Sequence, residues 1–292
     1  MGALPVLNPS FLEAPLGPSR PVPVTVPGVL GEAELGAFLE LLAVRRERPS
    51  LPFLRRLQRR CLTTVAFENL DIHWKVPIEL DVGHAWEKIV RRRRGGFCYE
   101  LNGLFGWALD RLGFDVALLS GKVWRKPARV WGPEYDHLAL HVRIDGGDYL
   151  VDVGYGDSFR TPLPLPSAER SDVSGRYRLF PDGGELQLDH AVVPGHWRAL
   201  YRVSLRPRAM SEFAGMFHWH QTSPDSPFTN HTVFTLARPW GRSTVTERYR
   251  METRGSHTVR HRYPNRGGWL EELRTRFGVK GPLGPVGAAG QS

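Results

Sequence analysis

Four residues carry the chemical interest of this chain: one cysteine, two histidines and one aspartate. Cys98 follows RRRRGGF and opens the stretch CYELNGLFGWALDRL. There, Leu101, Leu104, Phe105, Ala108, Leu109 and Leu112 recur at i, i+3, i+4, i+7, i+8 and i+11. That spacing predicts a helix with one buried face, stopped by Gly113. Gly95 and Gly96 break the preceding basic helix, so Cys98 falls at or near a helix N-terminus. Free N–H groups, the positive end of the helix dipole and the nearby arginines all favour thiolate over thiol. The second cysteine, Cys61, lies in phase with Leu54 and Leu57 on the apolar side of another helix and reads as core.

A thiolate nucleophile needs a base to hold its proton and a third group to orient that base. The segment DHLALHVRIDGGDYLVDVGYGD supplies both types. A turn at Asp145, Gly146 and Gly147 pairs two strands, and alternation puts His137, Ala139 and His141 on one face of the first. Asp152 lies in the apolar run LVDVGYG, where an unpaired carboxylate is costly, so it calls for a histidine partner. With Gly146 and Gly147 as the turn residues, Asp152 lies opposite His141. A bulge near the turn, or a first strand that leaves the pairing early, brings His137 within reach instead. Hairpin geometry alone favours His141, and spacing does not decide between the two.

The elements that must position these groups follow from the periodicity of the chain. Residues 1–30 are a proline-rich extension that cannot form a regular helix. Residues 31–113 read as a helical bundle carrying the cysteine. Its first helix is marked by Leu35, Phe38, Leu39 and Leu42, and its second runs from about Pro52 to Thr64 with Ser50 as cap. The third is capped by Asp81 and runs through Trp86, Ile89 and Val90 into the arginines. From 114 to 217 the period becomes two. Short strands separated by Gly, Pro and Asp turns predict a curled antiparallel sheet or barrel carrying the histidine and aspartate. Residues 218–280 are mixed: TVFTLAR and STVTERYRMETRG read as strands and GGWLEELRTRFG as a closing helix, together an α/β lid. Residues 281–292 read as a flexible tail. The fold class is α+β.

Composition narrows the function. The 292 residues are 41% hydrophobic, enough for a substantial core, and two cysteines make neither a disulfide framework nor a zinc pattern. No stretch approaches the roughly 20 apolar residues of a spanning helix, and the N-terminus lacks a signal-peptide pattern. A cytoplasmic protein with no membrane partner is expected. The net charge of +9 is spread over scattered arginines without a recognition motif, so no nucleic-acid partner is expected. His218 and His220 have a spacing that can bind metal on a strand, but no Cys, Asp or Glu cluster accompanies them, and no metal is expected.

RGGFC at 94–98, HLALHV at 137–142 and LVDVGYG at 150–156 together resemble the arylamine N-acetyltransferase family. FENLD at 67–71 resembles its PFENLD segment, with Ala66 in place of proline. TSPDSPF at 222–228 resembles its SPxSxF loop, and Gly241-Arg242 its GR turn. The resemblance covers most of the chain and implies a papain-like Cys98–His137–Asp152 triad, because the family places its aspartate fifteen residues after its histidine. His141 then becomes a neighbour. It further implies ping-pong transfer of acetyl from acetyl-CoA, as substrate, through acetyl-cysteine to an arylamine, arylhydrazine or N-hydroxyarylamine. Phe67, Phe97 and Tyr155 match an aromatic wall for the acceptor, Tyr155 replacing the commoner phenylalanine, and Arg94 braces the site against Glu100. No Walker loop or GxGxxG marks a CoA site, so its contacts are not assigned. The alternative within the family is an amide synthase acting on thioesters tethered to an acyl carrier protein. A Cys-His-Asp hydrolase and a non-enzymatic basic binding protein are the remaining readings.

Overall fold

The computed structural model describes residues 30–126, 128–265 and 267–279. The expected extension, apart from Leu30, and the expected tail lie outside the described residues.

The first layer is helical. Helix α1 (Glu32–Leu42) buries Leu35, Phe38, Leu39 and Leu42, as its spacing predicts. In α2 (Leu51–Thr64) the Ser50 hydroxyl accepts the Phe53 N–H at 3.3 Å, and Cys61 is buried. Its apolar surroundings push the Cys61 thiol up to about 12. After strand β1 (Phe67–Glu68) and helix α3 (Leu70–Trp74) comes α4 (Val82–Trp86), whose first turn is capped by Asp81. The expectation that this helix continues to Gly95 fails. It widens into a π-helical turn at Glu87–Arg91 and ends, and Arg93 takes a left-handed φ of 54°. The local reason is ionic: Lys88 and Arg94 are both drawn inward to buried carboxylates. Helix α5 (Cys98–Arg111) is buried along nearly its whole length, so it is the central rod of this layer.

The second layer is a nine-stranded antiparallel sheet. Its strands are β2 (Asp115–Arg125), β3 (Val130–Trp131), β4 (His137–Ile144), β5 (Gly147–Val151), β6 (Leu163–Pro164), β7 (Ala168–Asp172), β8 (Gly175–Asp182), β9 (Glu185–Ala191) and β10 (Arg198–Arg208). They order as β6-β5-β4-β2-β10-β9-β8-β7, with β3 on β2, and β6 lies against β7, so the sheet nearly closes into a barrel. Alternation in β4 serves two cores. Leu138, Leu140 and Val142 join the core of α5, while Ala139 joins Leu119, Leu150 and Tyr201 inside the barrel.

The turn between β4 and β5 corrects the sequence reading. Ile144 pairs with Gly147, so the turn residues are Asp145 and Gly146, both with positive φ (53° and 73°), as a type I′ hairpin requires. His141 therefore faces Leu150, β5 ends at Val151 opposite Leu140, and Asp152 lies just beyond the strand, not within it.

The third part begins with α6 (Ala214–Thr222) and α7 (Pro227–Asn230), so the boundary expected between 217 and 218 falls inside a helix. Strands β11 (Phe234–Arg238), β12 (Gly241–Val245), β13 (Tyr249–Arg254) and β14 (His257–Arg262) extend from β1, and α8 (Gly268–Phe277) closes the sheet. STVTERYRMETRG, expected as one strand, is split between β12 and β13 by a turn in which the Thr246 N–H donates to the Tyr249 carbonyl. Strand β14 is exposed throughout and lacks an apolar face, so periodicity did not announce it. Among the described residues no helix is long and apolar enough to cross a membrane.

Candidate active site

Cys98 is the first residue of α5, and Phe97 is its N-cap. The Phe97 N–H donates to Glu100 Oε2 at 3.1 Å, which ties the start of the helix to its own first turn. His137, the first residue of β4, places Nε2 2.8 Å from Asp152 Oδ2. Cys98 is the second neighbour of this imidazole and, with Asp152, favours its charged form. All three side chains are almost fully buried. His141 is elsewhere, with Nε2 2.6 Å from Asp148 Oδ1, and takes no part in this cluster.

The register explains the selection. Gly121 sits opposite His137 on β2, and a side chain there would press on the His137 Cβ at 3.2 Å. The chain beyond Asp152 folds tightly against α5, where a Cβ on Gly154 would stand 2.8 Å from the Cys98 Cα. That contact is backbone against backbone, so only glycine fits.

Asn102, one helical turn after Cys98, joins the parts. Its Nδ2 donates to Asp152 Oδ1 at 2.9 Å and to the Leu138 carbonyl at 2.6 Å, and its Oδ1 accepts the Val153 N–H at 2.9 Å. Asp152 Oδ1 also accepts the Gly154 N–H at 2.8 Å. Burial alone would raise the Asp152 carboxyl, but His137 and these donors outweigh it and hold it below its ordinary value. Burial likewise opposes charge on His137, yet Asp152 and Cys98 push its imidazole up to about 10. Both shifts favour the ion pair over the neutral pair. Asn102 was not singled out from the sequence, although a polar residue four positions after Cys98 on a wholly apolar helix face was the available signal.

The aromatic candidates separate. The Tyr155 ring meets His137 edge-on at 5.5 Å and lies 5.2 Å from Tyr201, which itself packs on His137 at 4.9 Å. The Tyr155 hydroxyl donates to the Leu200 carbonyl at 3.3 Å. Phe67 is half-buried against Phe228 at 5.9 Å. Phe97 has no exposed surface, being enclosed by Tyr99, Phe217 and Phe228, so touching an acceptor would require one of these rings to move.

Two expectations about charge are corrected. Arg94 does not pair with Glu100; its guanidinium holds Glu68 at 2.8 Å and Asp71 at 2.9 Å. Lys88 takes Glu100 at 3.0 Å and Asp71 at 2.9 Å. Because Arg91, Arg92 and Arg93 are exposed, the positive charge beside Cys98 comes from His137 and the helix start, not from the arginine run. His218 and His220 lie on a helix, where residues two apart face different directions. His218 is exposed, while His220 is buried with Nε2 3.2 Å from Asp136 Oδ1. Among the described residues no group of His, Cys, Asp or Glu is arranged to hold a metal ion.

A thiol at a helix start, an imidazole held cationic and a buried carboxylate can together form and discharge a thioester on sulfur. This is the chemistry of a cysteine-dependent acyltransferase. The family model described as N-acetyltransferase matches residues 50–282. Arylamine N-acetyltransferase 2 of Mus musculus is 32% identical over 229 residues, covering 71% of this chain and 79% of the relative. The arylamine N-acetyltransferase of Mycolicibacterium smegmatis is 32% identical over 253 residues, covering 84% and 92%. The Mycobacterium marinum arylamine N-acetyltransferase, solved in complex with CoA, superposes with a TM-score of 0.77 at 31% identity, covering 84% and 92%. The chain belongs to the arylamine N-acetyltransferase family.

Proposed function

We propose that Cys98 is the acetyl-accepting nucleophile, His137 its base and Asp152 the orienting carboxylate of an arylamine N-acetyltransferase that uses acetyl-CoA. The observation that carries this reading is the 2.8 Å contact of His137 with Asp152 beside Cys98. The Cys98 thiolate attacks the thioester carbonyl, and the tetrahedral oxyanion meets backbone N–H groups at the start of α5. The C–S bond to CoA then breaks, and the leaving CoA thiolate takes the proton from His137. An arylamine or arylhydrazine next attacks the acetyl-cysteine, His137 accepts its proton, and collapse releases the amide and restores the Cys98 thiolate. Asp152 fixes the tautomer and stabilises the imidazolium in both halves. Tyr155 and Phe67 border the acceptor side, with Phe97 behind them. The helical layer carries the nucleophile and the barrel layer carries its partners. A reducing compartment such as the cytoplasm suits the free thiol.

Intact-mass spectrometry after mixing with acetyl-CoA, without acceptor, tests the proposal. The expected result is one acetyl adduct, absent in Cys98→Ala and discharged by an added arylamine. No adduct would overturn acetyl-CoA as donor and direct attention to carrier-bound acyl thioesters.

A further inference from the structure

Strand β11 has two faces. Thr235 faces the loop after Asp152, where its methyl would lie 3.4 Å from a Cβ on Gly156. Phe234 and Leu236 face the other way, into the core of α8. On that second side is a half-open cavity of about 150 Å³, bounded by Arg93, Arg94, Arg238 and Arg276 with Phe234 and Phe277 among its apolar walls. Arg94 is engaged by Glu68 and Asp71, and Arg276 by Glu252 and Glu272. Among the described residues neither Arg93 nor Arg238 has a carboxylate at ion-pair distance. Arg238 is held over the Phe277 ring at 5.2 Å and donates to Ser243 Oγ at 3.3 Å, leaving its charge without a direct counter-ion. Burial lowers its guanidinium below the usual range, Glu252 only partly compensating and Arg276 adding to the effect.

We infer that this cavity binds a tetrahedral oxyanion: free phosphate or sulfate, or a small phosphomonoester. Guanidinium N–H groups match such oxygens in geometry and charge, and about 150 Å³ is room for one such group. It lies on the face of β11 turned away from Cys98, so it is a site separate from the acyl-transfer centre. It also touches Gly95, whose neighbour Gly96 is bridged to β1 and leads within two residues to Cys98.

The test is calorimetric titration of the full chain with inorganic phosphate at constant ionic strength, alongside thermal melts with phosphate or chloride. Saturable binding and a phosphate-specific rise in Tm are expected. Each of Arg93→Gln and Arg238→Gln should weaken binding about tenfold. Arg93 is exposed, so its variant should melt like the parent when no anion is added, which separates lost binding from lost folding. Glycerol phosphate binding more tightly than phosphate would identify a phosphomonoester, and the reverse a free oxyanion. A Tm rise that chloride reproduces, or phosphate binding undiminished in both variants, would overturn the inference.

Discussion

Two buried charge assemblies flank the start of α5, and they are built to opposite ends. On the barrel side, His137 and Asp152 form one ion pair, supported by the neutral donor Asn102 and edged by Tyr155 and Tyr201. On the helical side, Glu68, Asp71 and Glu100 meet Lys88 and Arg94 in a closed network. Its carboxylates and cations are shared so that no one contact defines it. Lys88 is held above its ordinary range, since three carboxylates outweigh the burial that opposes its charge. Burial of Glu100 raises its carboxyl, with Lys88 and the Phe97 N–H opposing that rise. The first assembly keeps a proton that can be handed on; the second keeps protons still and holds a backbone turn. Two such assemblies can thus share burial and chemistry and differ in whether, as proposed for His137, a proton has somewhere to go.

That contrast can be broken from either side. The largest effect is expected from Cys98→Ala, which should abolish the acetyl adduct and lower arylamine acetylation by at least about 10³-fold, measured as product formation with acetyl-CoA. Asp152→Asn should keep the fold yet lower kcat by about 10²–10⁴-fold, and it should move the alkaline limb of the pH profile of kcat/KM downward, because the His137 imidazolium loses the carboxylate that raises it. Lys88→Met leaves three carboxylates facing one guanidinium. It should cost about 3–5 kcal/mol in denaturant unfolding while the pH profile of kcat/KM stays where it was. A profile that moved with Lys88→Met would merge the two assemblies into one.

Linkage sharpens the comparison further. His137 rises from 6.5 to about 10 on folding, so its contribution to stability is full below about pH 6.5 and is lost as pH rises through about 10. Asp152 is lowered on folding, so its contribution is present above its ordinary value near 3.8 and is lost as pH falls through the folded value. Melting temperature against pH should therefore fall at both extremes, and His137→Gln should flatten the alkaline fall. The smallest effect is expected from Tyr155→Phe. Its hydroxyl serves the Leu200 carbonyl, so the loss should be about 1 kcal/mol of stability with acceptor preference changed less than about threefold, measured across a panel of anilines.

Local pattern carried much of this architecture. The apolar faces of α1 and α2 were legible because each packs one side on one core, and β4 was legible from alternation although it serves two cores, whereas α5 is buried on all sides and not on the single face its spacing predicts. What pattern could not decide was the partner of Asp152. Hairpin arithmetic with Gly146 and Gly147 as turn residues pointed to His141, and the choice of His137 rested on family spacing. The structure shows why the arithmetic slipped: Asp145, tolerating positive φ, takes the first turn position, and Asp152 escapes the ladder altogether. The arginine run misled for a different reason. Glu68, Asp71 and Lys88 meet Arg94 across long sequence separations, and no local signal reveals which charges will be buried together. Asn102 was within reach of sequence reasoning; Tyr201, brought to His137 by the pairing of β10 and β4 on either side of β2, was not.

Asn102 has a consequence for motion. It stands on the helix that begins with Cys98 and grips both the strand of His137, through the Leu138 carbonyl, and the Asp152 segment. Sliding of α5 against the barrel would have to break these bonds, so the helix start and the barrel segments that carry the thiol, the imidazole and the carboxylate are clamped as one unit. The spacing of the three groups is thereby insulated from strain that arises in parts of the molecule Asn102 does not tie.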